Sequence, residues 1–496
     1  NLFDGFTGQG GYPQANEVGE STLRQALVAC GNMMPDQARD EIVKLEGEHS
    51  MRRTWLWARM GLAPLATALE FLAQVAMESK QLPVGETPNA LAASYQGGGW
   101  RVDTAAMRAL GSVVAKVDVD AVSSALRVVY LPWLEASAKR LQEAAQAVGG
   151  LSSSENVFCA KPAAGNCTVF VDGLRYDAAI RLQTLLNEVG NTVLEAAWTS
   201  MPSVTASGEA WCSPVASFIS GDPSAGEFQP RVALGGKPLS AHNFRKLLAE
   251  HGFEFLDRHE TGDITGAAWT ETGDLDHYGH EHGIRLARDM ESQLAQVAER
   301  IKELQQAGWK TFRIVTDHGW LLVPGGLPKT ELPKHQTETR WGRCAVLKDS
   351  AYGTPLTFGW DWCNDVQVAY APGVSCFVAG NEYAHGGISL QECWVPILTL
   401  ESTRTTAASV KATISSISWR GLRCVVEVSA GSDNWSVDIR TKPAMAATSL
   451  VAQPKPLVSG KVSLAIGDDD QLGAAAVVVI LDAEGHVIQK MATTVG

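Results

Sequence analysis

The stretch ESQLAQVAERIKELQQAGWKTFRIVTDHGW, residues 291–320, carries the decisive pattern. Apolar residues recur every three or four positions up to Leu304, as on one face of a helix, and the amphipathic run extends back to residue 283. Gly308 ends it, and Phe312 to Thr316 form a short run of strand type that stops at Asp317. Helix followed at once by strand is the repeating unit of an α/β fold with a largely parallel sheet. The same alternation covers about 160 to 402. Val169 to Val171 precede Asp172, a helix is expected through Leu185, and Asn191 to Ala197 read as a strand leading to Thr199. Asp172 and Asp317 therefore close two strands, at the sheet edge where open α/β folds bind ligands.

The flanks differ. From about residue 20 to 150, Ala/Leu/Val-rich blocks such as Leu62, Leu65, Leu69 and Leu72 indicate amphipathic helices, with a break expected at Gly97–Gly99. One helix is expected from Asp118 or Asp120 past Leu141 toward Gly149 and Gly150. The tail alternates in VKATISSIS and CVVEVSA, has a buried-type run from Ala475 to Leu481, and shows turn signals at Gly431–Asp433 and Gly485. A small β-sandwich is the simplest reading of it. The acidic run Asp468–Asp470 reads as a solvated turn, not a calcium loop. These patterns divide the chain into a helical region (1–158), an α/β catalytic region (159–403) and a β domain (404–496).

A chain of 496 residues exceeds what one core serves, so two to four domains are expected. With 45% apolar residues, 19% charged and 15 tryptophans, the composition is that of a folded protein and excludes a disordered one. The net charge of −13 argues against gripping nucleic acid over the whole surface, because that requires neutralising phosphates. Any such contact is local or shared with a partner. Nine cysteines, an odd number with no CxxC pair, disfavour both a disulfide framework and a zinc ribbon and suit a reducing cytoplasm. Neither a membrane-spanning stretch nor a signal peptide is read. The opening NLFDGFTGQGGYP, starting on Asn1, reads as the interior of a longer polypeptide.

Five short pieces carry chemistry. LDHYGHEHG sets Asp276 and His280 four apart, so that a hard oxygen and a borderline nitrogen can share one ion, a pairing that suits zinc; His277 and His282 lie nearby. The plain alternative is a polar surface loop. VTDHGW sets Asp317 and His318 side by side where the strand has ended, against the plain reading of a turn built on Asp and Gly319. YAHGGISLQECWVP places His385 in a Gly-Gly turn before a helix start, and FVDGLRYD places Asp172 where an Asp commonly caps a helix, with Arg175 one turn on. WTSMPSVTASG offers hydroxyls at Thr199, Ser200, Ser203, Thr205 and Ser207 in a turn after a strand, where a nucleophile at a helix start is favoured.

In that order, VDGLRYD, PSVT, DHYGH, TDHG and HGGISLQE with WVP resemble the PglZ family of the alkaline phosphatase superfamily, over about residues 165–402. The resemblance implies an alkaline-phosphatase-like sheet flanked by helices and two divalent metals, zinc best of all. One metal would be held by Asp172, Asp317, His318 and the Thr205 oxygen, the other by Asp276, His280 and His385. Thr205 would be the nucleophile, with Ser203 or Ser200 as substitutes, and Arg175 a phosphate or structural partner. Ser200-Met-Pro-Ser-Val also resembles a sulfatase element, but Val204 replaces its Arg; Cys212-Ser-Pro-Val-Ala departs in the same way.

The resemblance further implies a cytoplasmic enzyme of a bacteriophage exclusion (BREX) system, working beside a methyltransferase, ATPases and small accessory factors. The expected activity is a phosphodiesterase on nucleotides or DNA. Lys329, Lys334, His335, Arg340, Trp341 and Arg343 form a local basic stretch that would guide a strand, or else a solvated loop with Glu331 and Glu338. The reading from a different class is a non-catalytic, metal-stabilised scaffold that assembles the defence complex.

Overall fold

The computed structural model describes residues 12–151, 157–224, 226–348, 356–402, 412–429, 435–443, 445–482, 485 and 487–496. The opening stretch up to residue 11, the turn at Gly431–Asp433 and the boundary expected at 403/404 lie outside the described residues.

The N-terminal block holds α1 (Pro13–Cys30), α2 (Pro35–His49), α3 (Pro64–Glu78), α4 (Trp100–Gly111) and α5 (Lys116–Val148). Proline opens each of the first three, where its missing N–H would have had no partner. The expected glycine break is one wide turn over Tyr95–Gly99, with Gly98 out of helical conformation. The helices do not have a core of their own: Leu69 and Trp133 belong to the same apolar cluster as Val169, Ile314 and Leu398 of the sheet region. Fully buried Asp103 of α4 adds a polar tie, accepting hydrogen bonds from Tyr95, Tyr130 and the Gln391 amide.

The central sheet has six strands: β1 (Asn166–Phe170), β2 (Gly190–Trp198), β3 (Phe253–Leu256), β4 (Ala267–Glu271), β5 (Thr311–Val315) and β6 (Trp394–Ser402), in spatial order β2-β6-β5-β1-β4-β3. β1 pairs parallel with β4 and β5, β3 parallel with β4, and β6 alone runs antiparallel to both neighbours. The sheet is therefore mixed, with one reversed strand. Four helices matter for the site: α6 (Tyr176–Leu186), α7 (Thr205–Trp211), α8 (Ala241–Glu250) and α9 (Leu275–His282). The fifth, α10 (Arg285–Ala307), buries Leu286, Met290, Leu294, Val297, Ile301 and Leu304 on one face and stops at left-handed Gly308.

The tail forms two antiparallel sheets, one of Thr413–Arg420, Arg423–Ser429 and Lys461–Ala465, the other of Lys455–Pro456, Ser436–Arg440, Ala475–Leu481 and Val487–Thr494. Val426 and Leu464 of the first share an apolar core with Ile439 and Val478 of the second. Lys490 ties this unit to Glu303 of α10. Among the described residues no helix is long and apolar enough to cross a membrane.

Candidate metal centre

β1 and β5 pair in register to their last residues, Phe170 opposite Val315, so the chain leaves the sheet twice at the same edge. Asp172 and Asp317 stand there. The backbone N–H groups of His318 and Gly173 donate to Asp317 Oδ1 at 2.9 and 3.3 Å, and Thr316 Oγ1 accepts from the Leu174 N–H at 3.0 Å. These bonds fix the carboxylate and leave Asp317 Oδ2 and Asp172 Oδ1 buried with no hydrogen-bond partner. Asp172 is not a helix cap; Arg175 holds that position for α6.

His318 decides what the cluster lacks. Its Nδ1 lies 3.0 Å from the Gly319 carbonyl oxygen, which can only accept, so Nδ1 carries the proton and Nε2 presents a lone pair. That lone pair sits 3.3 Å from Asp317 Oδ2 and 3.6 Å from Asp172 Oδ1. His385 repeats the device: Nδ1 donates to the Ser203 carbonyl at 3.1 Å and Nε2 lies 3.5 Å from Asp276 Oδ1. The His318 and His385 rings stack, centroids 3.8 Å apart. Apart from the Tyr383 and Thr205 hydroxyls, acceptors thus face acceptors, an arrangement that calls for a cation between them. Burial, then the charges of Asp317, Asp276 and Glu209, pushes the Asp172 carboxyl well above its ordinary range. Burial and neighbouring His318 lower His385 to about 3, which keeps it neutral and able to ligate.

Among the described residues, two groups can each close on a cation, their ligand atoms lying within 4.8 Å of one another: Asp172, Asp317 and His318, and Asp276, His318 and His385. The orphaned carboxylate oxygens and the two lone-pair nitrogens fit divalent metal, and oxygen with imidazole nitrogen suits zinc. The division differs from the expected one in two respects. His318 belongs to both groups, and His280 stands at the rim of the second, its Nε2 3.0 Å from His385 Nε2 and 3.5 Å from Asp276 Oδ2. Asp276 and His280 lie not on a loop but on α9, where a spacing of four puts them on one face. His277 and His282 point elsewhere, toward Glu281.

Of the five hydroxyls in 199–207, only Thr205 faces this cluster. Its Oγ1 is 3.1 Å from His318 Nε2. Ser203 donates to the Gly387 carbonyl, Ser200 pairs with Ser207, and Thr199 bonds the Asp317 carbonyl. Thr205 opens α7, which lies so close to the end of β5 that a Cβ on Gly208 would meet Asp317 Cβ at 2.7 Å.

Two expectations that carried alternatives are narrowed by the side chains. Arg175 does not reach the cluster: it is fully buried, paired with Asp177 at 2.6 Å, and lies 3.8 Å over Trp320. An arginine one turn after a strand end carries no signal that separates the two roles. The basic stretch is not a continuous surface either. Arg343 is buried and forks onto both Glu392 oxygens at 2.7 and 3.0 Å, Arg340 donates to the Leu332 carbonyl, and Lys329 pairs with Glu331. Arg343 and Glu392 hold instead the turn that carries His385, since Glu392 Oε1 accepts from the Gly387 N–H at 2.8 Å.

Sequence reasoning missed three participants. Tyr383 donates to Asp276 Oδ1 at 2.9 Å, and its place two residues before His385 was a usable signal. Glu209 sits one turn after Thr205 and lines a cavity of about 570 Å³ that opens beside it, with Phe228, Phe244, Phe255 and Glu271. Gln142 of α5, with no local signal, donates to the Gly373 and Ile388 carbonyls at 2.9 and 3.0 Å, bracing the same turn from the helical block.

Neither a family model nor a curated protein sequence matches the chain. Among solved structures it is similar to murine ectonucleotide pyrophosphatase/phosphodiesterase 5, at 12% identity and a TM-score of 0.32, over 47% of this chain and 87% of that one. The human counterpart is similar at 12% identity and a TM-score of 0.31, over 48% and 87%. Phosphonoacetate hydrolase from Sinorhizobium meliloti 1021, in complex with phosphonoacetate, is similar at 13% identity and 0.30, over 50% and 92%. Likeness at this level carries no weight for function, which rests on the side chains.

Proposed function

We propose that this chain is a metal-dependent phosphoric ester hydrolase, a phosphodiesterase acting on nucleotides or DNA, with two zinc ions. The observation that carries the reading is Thr205 Oγ1, 3.1 Å from His318 Nε2, which both ligand groups share. Asp172, Asp317 and His318 would hold one ion, and Asp276 and His385, with His280 at the rim, the other. Divalent cations bound there would supply Lewis-acid polarisation of the phosphoryl oxygens and charge neutralisation.

The chain's own groups do the rest. The backbone bonds around Asp317 and the close approach of Gly208 fix α7 against the sheet edge and so aim the Thr205 hydroxyl. Its Oγ1 forms a bond to phosphorus as the bond to the leaving alcohol breaks, and its proton passes to solvent, because the His318 Nε2 lone pair 3.1 Å away would be held by the ion. Water then cleaves the phosphothreonine. A diester is favoured because the cavity beside Thr205 is walled by phenylalanines and edged by Glu209 and Glu271. The Glu271 carboxylate opposes a dianionic monoester, whereas an ester substituent finds an apolar wall; burial pushes Glu209 up to about 8, so it adds little charge at neutral pH.

The PglZ and BREX setting, with methyltransferase, ATPase and accessory partners in the cytoplasm, rests on the order of the five sequence motifs. The test is hydrolysis of bis-p-nitrophenyl phosphate against p-nitrophenyl phosphate after chelation and zinc readdition, for wild type, Thr205→Ala and Asp317→Ala. Diester turnover restored by zinc and lost in both variants is expected. No turnover of either compound with metal confirmed bound would leave the scaffold reading in its place.

A further inference from the structure

The cavity beside Thr205 has walls of a particular kind. Phe244 of α8 and Phe228 are buried, Phe244 meeting Trp269 edge-on at 5.7 Å and Phe228 packing on Trp341 and Trp360 at 6.0 and 5.9 Å. Phe255 of β3 is pinned by the Arg245 guanidinium, 3.9 Å over its ring and itself paired with Asp257. Aromatic planes held in this way pre-form a slot for a flat ring, and about 570 Å³ is ample for one base with its sugar. Stacking alone would accept any base.

The polar lining is not neutral to the choice of base. Glu271 ends β4 with one oxygen taking the Trp269 indole N–H at 3.2 Å, which orients the carboxyl and leaves its other oxygen available. The Glu209 side chain, one turn along α7 from Thr205, has no hydrogen-bond or ion-pair partner among the described residues. A lining of carboxyl oxygens calls for a ligand edge made of N–H groups. Guanine offers N1–H and N2–H side by side, matched to the two oxygens of one carboxylate, since the Glu271 oxygen that takes the indole N–H keeps a second lone pair. Adenine and cytosine offer one amino group each. Uracil and thymine place a single N–H between two carbonyl oxygens, which carboxylates repel.

We propose that this cavity is a nucleobase site that selects its base by the donor edge, guanine before adenine and cytosine, with uracil and thymine last. It rests on the phosphodiesterase reading and names the substrate group that the site prefers. Glu271 and Glu209 are the specificity residues, and Phe228, Phe244 and Phe255 the stacking surfaces.

The test compares the p-nitrophenyl esters of guanosine and uridine 5′-phosphate in the zinc-loaded protein, with calorimetric binding of GMP and UMP to zinc-loaded Thr205→Ala alongside. Guanosine should lead in kcat/KM and in affinity by roughly ten- to hundredfold, the worth of one well-formed bidentate pair. Glu271→Ala should bring the ratio within roughly threefold, about half a decade of binding constant. Phe244→Ala should weaken both nucleotides alike. If Glu271→Ala fails to fold, Glu271→Gln keeps the shape and the Trp269 bond and should still erode the ratio. Equal use and equal binding of both bases by the unaltered cavity would overturn the inference and leave the phosphodiesterase standing. Loss of all ester turnover would overturn the phosphodiesterase, and the GMP-to-UMP binding ratio would still decide the cavity.

Discussion

The two ligand groups are built by opposite means. Asp172, Asp317 and His318 hang from the ends of two paired strands, and backbone N–H groups hold the carboxylate of Asp317, which with His318 is wholly buried. Asp276 and His280 ride on α9, and His385 on a glycine turn braced from outside by Arg343, Glu392 and Gln142; the His280 side chain is 49% exposed. Strand register places ligands without side-chain help, whereas a helix and a turn need a scaffold of second partners. The first group should therefore fail as a whole when one ligand is lost, and the second should lose strength by degrees. His318 lies within reach of both groups but has one free lone pair to give, and that choice couples the two.

The sharpest break is Asp317→Ala. Diester turnover should fall by on the order of 10³-fold, several kcal/mol of charge stabilisation at about 1.4 per decade, and zinc stoichiometry by mass spectrometry should drop. Retained stoichiometry would dissolve the contrast between the groups. Next comes Gly208→Ala, whose Cβ would meet Asp317 Cβ at 2.7 Å and its carbonyl oxygen at 2.8 Å. It should displace Thr205 and cut kcat by roughly 10²-fold, as misplacement near an ångström does, with bound zinc unchanged. A smaller effect belongs to His280→Ala, where the second zinc should bind about tenfold more weakly in competition with a chelator while the first is unaffected. A change confined to the first ion would reverse the assignment.

The smallest effect lies at the seam with the helical block. Burial raises the Asp103 carboxyl from 3.8 to about 6. A raised folded value means that the folded state binds the extra proton, so this contribution to stability is present below pH 3.8 and is lost as pH rises through about 6. Asp103→Asn should flatten that decline in thermal melts between those limits without altering zinc binding. A melt slope unchanged by the substitution would remove Asp103 from the balance.

Much of this was legible. Short apolar runs stopping at Asp172 and Asp317 mark strand ends because a carboxylate cannot continue into a sheet buried on both faces. The spacing of Asp276 and His280 is a helix spacing, although the glycine between them disguised it. What was hidden depends on distant contacts. Nothing local separates Thr205 from Ser203 and Ser200, since the choice is made by Gly387 and Ser207 taking the other hydroxyls. Nothing local says that Arg175 will be consumed by Asp177, or that Arg343 will turn inward to Glu392. Nor does the run from Trp394 to Ser402 reveal its direction, because buried parallel and antiparallel strands read alike.

That reversed strand has a consequence for how the protein is made. β6 is the last of the six in the chain, yet it lies between β2 and β5. At roughly 5–20 residues per second, the stretch from Trp198 to Trp394 takes about 10–40 s to translate, during which β2 has an edge open to mispairing, joined from Val315 onward by that of β5. Ribosome-bound chains halted before β6 should be cut by protease across residues 166–198, and chains halted well beyond it should resist; equal cleavage would sink the idea. The wait also covers His385, which precedes β6 by only a few residues. The nascent chain thus becomes able to complete its second ligand group only once the last turn before β6 has been made.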